Sequence, residues 1–377
     1  MIAERKDDHV RFAAEQQRHL GGYNQFDEVS FVHHALAGID RSDASLVTRF
    51  GGMEWQVPLY INAMTGGSVR TGAINRDLAI AARETGVPIA SGSMSAYFAD
   101  EAVADTFGLL RRENPDGFVM ANVNANASVD KARRAVDLLR ADALQIHLNV
   151  IQETVMPEGD RSFSSWGPQI EKIVDGVGGG GGAGIPVIVK EVGFGLSRET
   201  VASLGDMGVR VADVAGRGGT DFARIENDRR EHADYAYLGG WGQSAPACLL
   251  DSQNAAIPLL ASGGVRGPLD VVRALALGAA AVGVSGGFLR TVLDGGPSAL
   301  IRQITTWLDQ VEALMTALGA RTPSDLTRCD VLVHGDLRAF CADRGIDTRG
   351  LATRSRSQAH AHAHSHETAH ATVGEIR

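Results

Sequence analysis

Cysteine is scarce in this chain of 377 residues, which contains only Cys248, Cys329 and Cys341. The three are widely spaced and odd in number, so they do not suit the paired framework of a small disulfide-rich secreted protein. Reduced thiols in a cytosolic protein fit this pattern better, and packing in the core is their expected role.

Positive charge is in deficit as well, because 36 Lys and Arg stand against 45 Asp and Glu, for a formal net charge of −9. This balance repels a nucleic-acid backbone, so nucleic acid is not an expected partner. An anionic ligand therefore has to be met by a local cluster of donors and not by overall attraction.

The chain also lacks a long uninterrupted hydrophobic segment. The N-terminus is charged from Glu4 onward and has no apolar stretch of the kind that a secretory signal needs. The most apolar region, residues 271–287, is broken by Arg273 and by several glycines, so it falls short of a bilayer-spanning helix. The sequence predicts a soluble, cytoplasmic protein without a membrane partner.

Short apolar or β-branched runs, by contrast, are abundant and alternate with longer segments of helical periodicity. Eight such runs lie at residues 58–64, 87–92, 117–123, 143–149, 186–192, 209–216, 258–265 and 280–286. Repeated βα units of this kind predict an α/β fold, a (β/α)8 TIM barrel, with a doubly wound open sheet as the alternative. We assign residues 1–57 to an N-terminal extension, 58–350 to the barrel and 351–377 to a tail.

Two segments have biased composition. Residues 176–184 read GVGGGGGAG, which has spacings of a dinucleotide loop but follows no predicted strand, so we expect a flexible surface connection. The tail is polar and is expected to be disordered, with adventitious metal binding as the alternative. Its histidines are His360, His362, His364, His366 and His370.

Polar side chains follow the predicted strands at the end where barrels place their active sites. They are Asn62, Ser91, Ser93, Ser95, Asn122, Asn124, Asn126, His147, Asn149, Gln152, Glu153, Lys190 and Glu191. A buried ammonium such as that of Lys190 needs an anion or polar ring atoms beside it, which indicates a cofactor contact, although pairing with a carboxylate is the alternative. Glu153 suits Mg²⁺ shared with substrate phosphates. A solvated Glu153 and a His147 satisfied within the core remain open.

Three glycine-rich loops, GRGGTD at 216–221, SGGVR at 262–266 and SGG at 285–287, follow the last three predicted strands. Glycine lets backbone N–H groups approach an anion, and barrels often hold a phosphate at this position. We expect these loops to bind a cofactor phosphate, with a hydroxyl from Thr220. The alternative is that the glycines only close tight turns.

A dozen short motifs together resemble the type 2 isopentenyl diphosphate isomerases, along almost the whole chain to about residue 350. They include RKDDHV, FVHHAL, INAMTGG, ASGSM, QIHLN, VKEVGFG, GRGGT, IENDRR, WGQS, ASGGVR and ALALGA, in the order of the family. The resemblance implies interconversion of isopentenyl and dimethylallyl diphosphate in isoprenoid biosynthesis, with reduced FMN as the acid–base cofactor. It also implies Mg²⁺, NADPH as the reductant, and a homo-oligomer, either a tetramer or an octamer.

The resemblance also implies roles for single residues. The FMN contacts would be Ala63, Met64, Thr65, Ser93, Asn122, Lys190, Thr220, Gly263, Gly264, Val265, Arg266, Ser285 and Gly286. Substrate would be bound by Arg5, Lys6, Ser93, Asn149 and Gln152. Gln152 and His147 would be the catalytic side chains, and Glu153 would hold Mg²⁺. From the residues alone, Arg5 and Lys6 read only as a solvated terminus.

Other FMN barrels are the nearest alternatives. A 2-hydroxy acid oxidase needs a histidine base, and an IMP dehydrogenase-like enzyme needs a cysteine, in the loop that here reads AGRGGTD and has neither. Ala215 in that loop replaces a serine that many relatives carry, which removes one hydroxyl contact to FMN. A catalytically silent FMN-binding protein would keep the glycine loops but could lose Gln152, Glu153 and the Arg5–Lys6 pair.

Overall fold

The computed structural model describes residues 2–19, 22–182 and 184–355. The strands of this part are β1 (Val29–Phe31), β2 (Thr48–Phe50), β3 (Met53–Trp55), β4 (Leu59–Ile61), β5 (Ile89–Ala90), β6 (Val119–Asn124), β7 (Ala143–His147), β8 (Val187–Lys190), β9 (Val211–Asp213), β10 (Leu259–Ser262), β11 (Ala279–Val284) and β12 (Val331–Val333).

The helices of the same part, in chain order, are α1 (Ile2–His19), α2 (Val69–Thr85), α3 (Ser95–Ala99), α4 (Ala104–Glu113), α5 (Val129–Leu139), α6 (Val150–Val155), α7 (Trp166–Gly182), α8 (Arg198–Asp206), α9 (Phe222–Asp228), α10 (Ala245–Asp251), α11 (Pro268–Ala276), α12 (Gly286–Leu318), α13 (Gly335–Asp343) and α14 (Thr348–Leu351). Helix α12 is kinked at Gly296, where φ is +68° and Pro297 follows. In the described ranges, every helix is too short or too polar to cross a bilayer.

Strands β4 to β11 pair in parallel and in sequence order, and β11 returns to β4 to close the barrel. The predicted (β/α)8 TIM barrel is therefore confirmed, and each of the eight predicted runs overlaps one strand. Most strands end before their run does, because the polar and glycine residues at the run ends leave the sheet and form the loops that follow.

The barrel interior is filled in layers that follow the alternation of side chains along each strand. Strands β2 and β3 form a hairpin whose Phe50 and Trp55 plug one mouth, with the Trp55 ring centroid 5.4 Å from that of Tyr60. Buried Met120 and Ile188 lie in the same apolar cluster. Two residues further along the strands the inward positions become polar, so the opposite mouth can hold a polar ligand.

The expectation of a flexible connection at residues 176–184 is wrong for its described part, because helix α7 continues to Gly182. Gly176, at the start of this segment, lies where helix α7 packs closely against α5. A Cβ on Gly176 would lie 2.4 Å from Val129 of α5, and Arg133 of α5 donates to the Gly176 carbonyl at 2.9 Å. At this position glycine thus serves the contact between two helices.

The sequence places the start of the tail at residue 351, and the first residues of that segment pack against the rest of the chain. Leu351 is buried, the Arg354 guanidinium donates to the Ala276 carbonyl at 2.9 Å, and the Ser355 N–H donates to Asp330 at 2.8 Å. Residues 356–377, which hold the histidine-rich sequence, lie outside the described part of the chain.

Candidate active site

A cavity of about 630 Å³ opens at the mouth of the barrel where the strands end, and the N-terminal helix α1 contributes to its wall. All but one of the site residues that the family resemblance implies line it. These are Arg5, Lys6, Ala63, Met64, Ser93, Asn122, His147, Asn149, Gln152, Glu153, Lys190, Thr220, Gly263, Gly264, Val265, Arg266, Ser285 and Gly286.

Sheet register brings several of these side chains side by side. Asn124 of β6 pairs with His147 of β7, His147 pairs with Lys190 of β8, and Lys190 pairs with Asp213 of β9. Thr65 is the one residue implied by the resemblance that does not line the cavity. It is buried behind the wall, and its hydroxyl donates to Asn75.

Helix α1 brings two cations to the cavity, although the residues alone gave them no role. The Lys6 ammonium lies 3.5 Å from the Ser93 carbonyl. Burial and the neighbouring Arg5 lower the pKa of Lys6 to about 8, while Glu226 opposes this change. The guanidinium of Arg5 contacts Glu158 at 3.2 Å, but its Nε–H is buried and finds no partner among the described residues. An anionic ligand would satisfy both groups.

The glycine loops are built for close backbone approach. Gly263 has φ +88°, and a Cβ at that position would lie 1.9 Å from the Gly216 carbonyl oxygen, so no other residue fits. The Arg266 side chain is already paired, with Asp270 at 2.9 Å and Asp27 at 2.6 Å. Its backbone N–H also donates to Asp270 at 3.1 Å. Arg266 therefore fixes the loop, and its own donors are engaged by carboxylates.

Lys190 is buried at the base of the cavity, and its ammonium donates to the backbone carbonyl of Glu191 at 2.6 Å. Burial lowers the pKa of Lys190, and the carboxylates of Asp213 and Glu191 oppose this change. The Glu191 carboxylate itself accepts N–H bonds from Val192 at 2.6 Å and from Gly193 at 2.7 Å. The carboxylate next in sequence is thus engaged by the backbone, and Lys190 has donors left for a ligand.

Gln152 is held by two neighbours at the cavity wall. Its Nε2 donates to Glu226 at 2.9 Å, and its Oε1 accepts from Asn149 at 3.2 Å. Glu226 also pairs with His9 at 2.9 Å and with Arg229. Burial would raise the pKa of Glu226, but hydrogen bonds from His9, Gln152 and Arg229 lower it to about 2. An ionised carboxylate therefore orients the Gln152 amide.

Relatives of known name cover nearly the whole chain. An isopentenyl-diphosphate delta-isomerase of Kitasatospora griseola is 71% identical over 94% of this chain and 95% of its own length. The protein of that name from Streptomyces sp. (strain CL190) is 70% identical over 94% and 96%. One from Nocardia farcinica is 61% identical over 94% and 97%. The chain belongs to the isopentenyl-diphosphate delta-isomerase family.

Two further comparisons concern the flavin and the fold. Residues 183–332 match the family described as FMN-dependent dehydrogenase, which agrees with a type 2, flavin-dependent isopentenyl-diphosphate delta-isomerase. A mandelate oxidase variant with a monooxide FMN adduct superposes with a TM-score of 0.61, at 18% identity over 88% of this chain and 100% of its own. A flavocytochrome b2 variant with benzoylformate gives 0.60, at 20% identity over 88% and 80%. At such identities the likeness shows the barrel fold alone.

In this member of the isopentenyl-diphosphate delta-isomerase family, the acidic residue expected to bind Mg²⁺ has suitable surroundings. The Glu153 carboxylate accepts from Asn149 at 2.9 Å and from the Asp160 N–H at 2.7 Å, which leaves lone pairs free. The Oδ1 of Asn149 is buried and has no partner among the described residues. Among the residues that the structure describes, no group of three His, Cys, Asp or Glu is placed to bind a metal ion by itself. The donors fit Mg²⁺ that keeps waters and shares phosphate oxygens.

Among the cavity residues that the sequence analysis did not single out are His9 and Gln17 of α1. Glu226 of α9, which supports Gln152, was not identified from the sequence either. Glu226 lies in the IENDRR motif, but that motif follows no strand directly, so the strand-end rule gave it no role. His9 stands in RKDDH beside the two cations. The motifs themselves were therefore the available signal for both residues.

Proposed function

We propose that this protein interconverts isopentenyl and dimethylallyl diphosphate in isoprenoid biosynthesis, with reduced FMN as its acid–base cofactor. The observation that carries the proposal is that a single cavity collects cations for a diphosphate, glycine loops for a phosphate and the Gln152 amide. The family of the chain supports the same reaction. Purified protein supplied with FMN, NADPH, Mg²⁺ and isopentenyl diphosphate should form dimethylallyl diphosphate.

The cofactor would lie along the loops that follow the last strands and against the base of the cavity. Gly263, Gly264, Val265, Ser285 and Gly286 would face its phosphate, with the Thr220 hydroxyl nearby. Ala63, Met64, Ser93, Asn122 and Lys190 would contact the ring. When bound, reduced FMN supplies an electron-rich ring that can exchange a proton and face positive charge. Thr65, first expected at the cofactor, would act by holding the loop after β4.

The substrate would be bound between the ring and helix α1. Within the N-terminal extension of residues 1–57, helix α1 would therefore be the part that caps the cavity, whereas the β2–β3 hairpin closes the opposite mouth. Arg5 and Lys6 would bind the diphosphate, and Ser93, Asn149 and Gln152 would position it. Moving a double bond requires one proton to be added and another removed. Gln152 would orient the reacting carbons or hand on a proton, and His147 would be the second proton-handling group.

Diphosphate binding should depend on pH through Lys6. Because the pKa of Lys6 lies at about 8 in the free protein, its side chain is a charged ammonium below that pH and a neutral amine above it. We therefore expect kcat/KM for isopentenyl diphosphate to fall above about pH 8, a limit that the Lys6→Arg variant should remove because arginine stays charged. Steady-state rates across the alkaline range check this. If kcat/KM of the Lys6→Arg variant still fell above about pH 8, the alkaline decrease would belong to a group other than Lys6.

Turnover should require Mg²⁺, which we propose is held by Glu153 and by substrate phosphates. Chelation with EDTA should stop product formation and leave FMN bound, and added Mg²⁺ should restore the rate. The Glu153→Gln variant should need roughly 10- to 100-fold more Mg²⁺ for half-maximal rate. Glu171→Gln, an exposed glutamate on α7, is the matched control. Equal Mg²⁺ requirements in the two variants would remove Glu153 from the metal site.

NADPH would serve only to reduce the flavin, and we propose a cytoplasmic homo-oligomer, either a tetramer or an octamer. Three unpaired cysteines support the reducing compartment. Light scattering of the purified protein measures the assembly. The competing oxidase chemistry needs a histidine after β9, whereas the histidines that line this cavity, His9 and His147, lie on α1 and β7.

A further inference from the structure

A chain of hydrogen bonds runs around the inner wall of the barrel and links Asp213 to His147 below the cavity. It passes through Asn62, Gln145 and Asn122, all of which are buried. Asn62, Asn122 and His147 line the cavity, whereas Asp213 and Gln145 do not, so any effect of these two on a ligand must pass through the others.

The orientation of Asn62 is fixed from two sides. Its Nδ2 donates to the Asp213 carboxylate at 2.8 Å, and its Oδ1 accepts the backbone N–H of Ala63 at 2.8 Å. A carboxylate can only accept and a backbone N–H can only donate, so a reversed amide would face a like group on each side. Asp213 is itself held by the Tyr60 hydroxyl at 2.6 Å and the Ser262 hydroxyl at 2.8 Å.

This orientation then passes along the wall. Because Asn62 presents its oxygen, Gln145 turns its Nε2 toward it, at 3.4 Å. The Oε1 of Gln145 in turn accepts from the Nδ2 of Asn122 at 3.1 Å, which leaves the Oδ1 of Asn122 facing the Nδ1 of His147 at 2.8 Å. Reversing any one amide would leave buried polar atoms unpaired, which is unfavourable.

The imidazole therefore meets an acceptor at Nδ1. Burial, together with the nearby Lys190 and Lys6 cations, lowers the pKa of His147 to about 3, so the ring is neutral near pH 7. A neutral ring carries one proton, and the acceptor at Nδ1 requires that proton there.

We infer that Asp213, Asn62 and Gln145 are positioning residues that act through Asn122 to hold His147 as its Nδ1–H tautomer, with an unprotonated Nε2 left for the ligand. The ligand atom that contacts Nε2 is then a hydrogen-bond donor or carries a mobile proton. A bare phosphate oxygen could not bind there, because two acceptors would face each other. The catalytic meaning of the tautomer rests on the proposed function, whereas the tautomer itself does not.

Nitrogen NMR of the full-length, FMN-loaded protein, labelled with ¹⁵N-histidine, reads the tautomer directly near neutral pH. The His147 signals are identified by their loss in His147→Gln. We expect Nδ1 to show the shift of a protonated nitrogen and Nε2 that of an unprotonated one. An Nε2–H tautomer, or an even mixture, would overturn the inference even in an active isomerase, and the expected tautomer in an inactive protein would leave it standing.

Two variants test the path and not only its end. Gln145→Met cuts the chain without touching the ring, so Asn122 can turn and the pure Nδ1–H signal should become a mixture. Adding Asn122→Asp to that variant should return a protonated Nδ1, because a carboxylate can only accept. Gln169→Met, on α7 outside the cavity, is the control and should change nothing. A folded, FMN-binding Gln145→Met protein that kept a pure Nδ1–H tautomer would refute the path. Should that variant not fold, the wild-type spectrum decides.

Discussion

Replacing Gln152 with alanine is expected to lower kcat by about 10²- to 10⁴-fold, the range of a lost proton-handling group, with FMN affinity unchanged. The amide lies on the cavity wall, and Glu226 and Asn149 fix its orientation. Alanine removes the amide and leaves the glycine loops and Lys190, the proposed cofactor contacts, untouched. Product formation at saturating isopentenyl diphosphate and a fluorescence titration of FMN measure the two quantities separately.

The matched control for this change is Gln253→Ala, since Gln253 is exposed and far from the cavity in the described structure. It should turn over at the wild-type rate. The Gln152→Ala variant also strips one hydrogen bond from Glu226, so its thermal unfolding should be recorded to separate instability from lost chemistry. A folded Gln152→Ala protein with full turnover would refute the role given to this side chain.

The second large effect is expected at Lys190, where methionine should weaken FMN binding by roughly 10- to 100-fold. Hydrogen bonds to charged groups contribute about 1.5–3 kcal/mol, which corresponds to that range in Kd. The apoprotein should lose little stability, because Asp213 and Glu191 keep their own hydrogen bonds from the Tyr60 and Ser262 hydroxyls and from backbone N–H groups when the ammonium is removed. Titration of the apoprotein with FMN, together with thermal unfolding, checks both expectations.

Lys172→Met provides the control for this experiment, because Lys172 is exposed on helix α7. Its FMN affinity should equal that of the wild type. Loss of FMN binding in Lys190→Met without loss of apoprotein stability would separate a cofactor contact from a structural ion pair. An unchanged Kd in that variant would show that the ammonium does not face the cofactor.

The barrel was predictable because parallel strands impose a simple rule on the sequence. Buried runs alternate with helical segments, and polar residues at the run ends meet at one mouth, as His147 and Lys190 do. This rule does not apply to helix α1, which precedes the barrel strands. No periodicity in RKDDH indicates where a terminal helix packs. Only the family resemblance gave Arg5 and Lys6 a role. The side chain of Thr65, by contrast, follows β4 yet turns away from the cavity toward Asn75, an orientation that the strand-end rule does not predict.

Composition alone did not predict the helix in the glycine-rich segment. Consecutive glycines normally disfavour a helix, but here α7 begins at Trp166 and continues into them. The nearby Gly176 has a separate role, because close packing against Val129 leaves no room for a Cβ there. The buried wall of amides is a further feature that strand patterns do not reveal. Asn62, Gln145 and Asn122 were visible as polar residues in strands, but their order around the barrel depends on register.

We propose that this protein moves a double bond without net oxidation, with a flavin that stays reduced. Counting dimethylallyl diphosphate formed against NADPH consumed, under anaerobic conditions with the FMN-loaded protein, tests it most directly. We expect many product molecules for each NADPH and no product while the flavin stays oxidised. One NADPH oxidised per product, or no dimethylallyl diphosphate although the bound flavin is reduced, would contradict it.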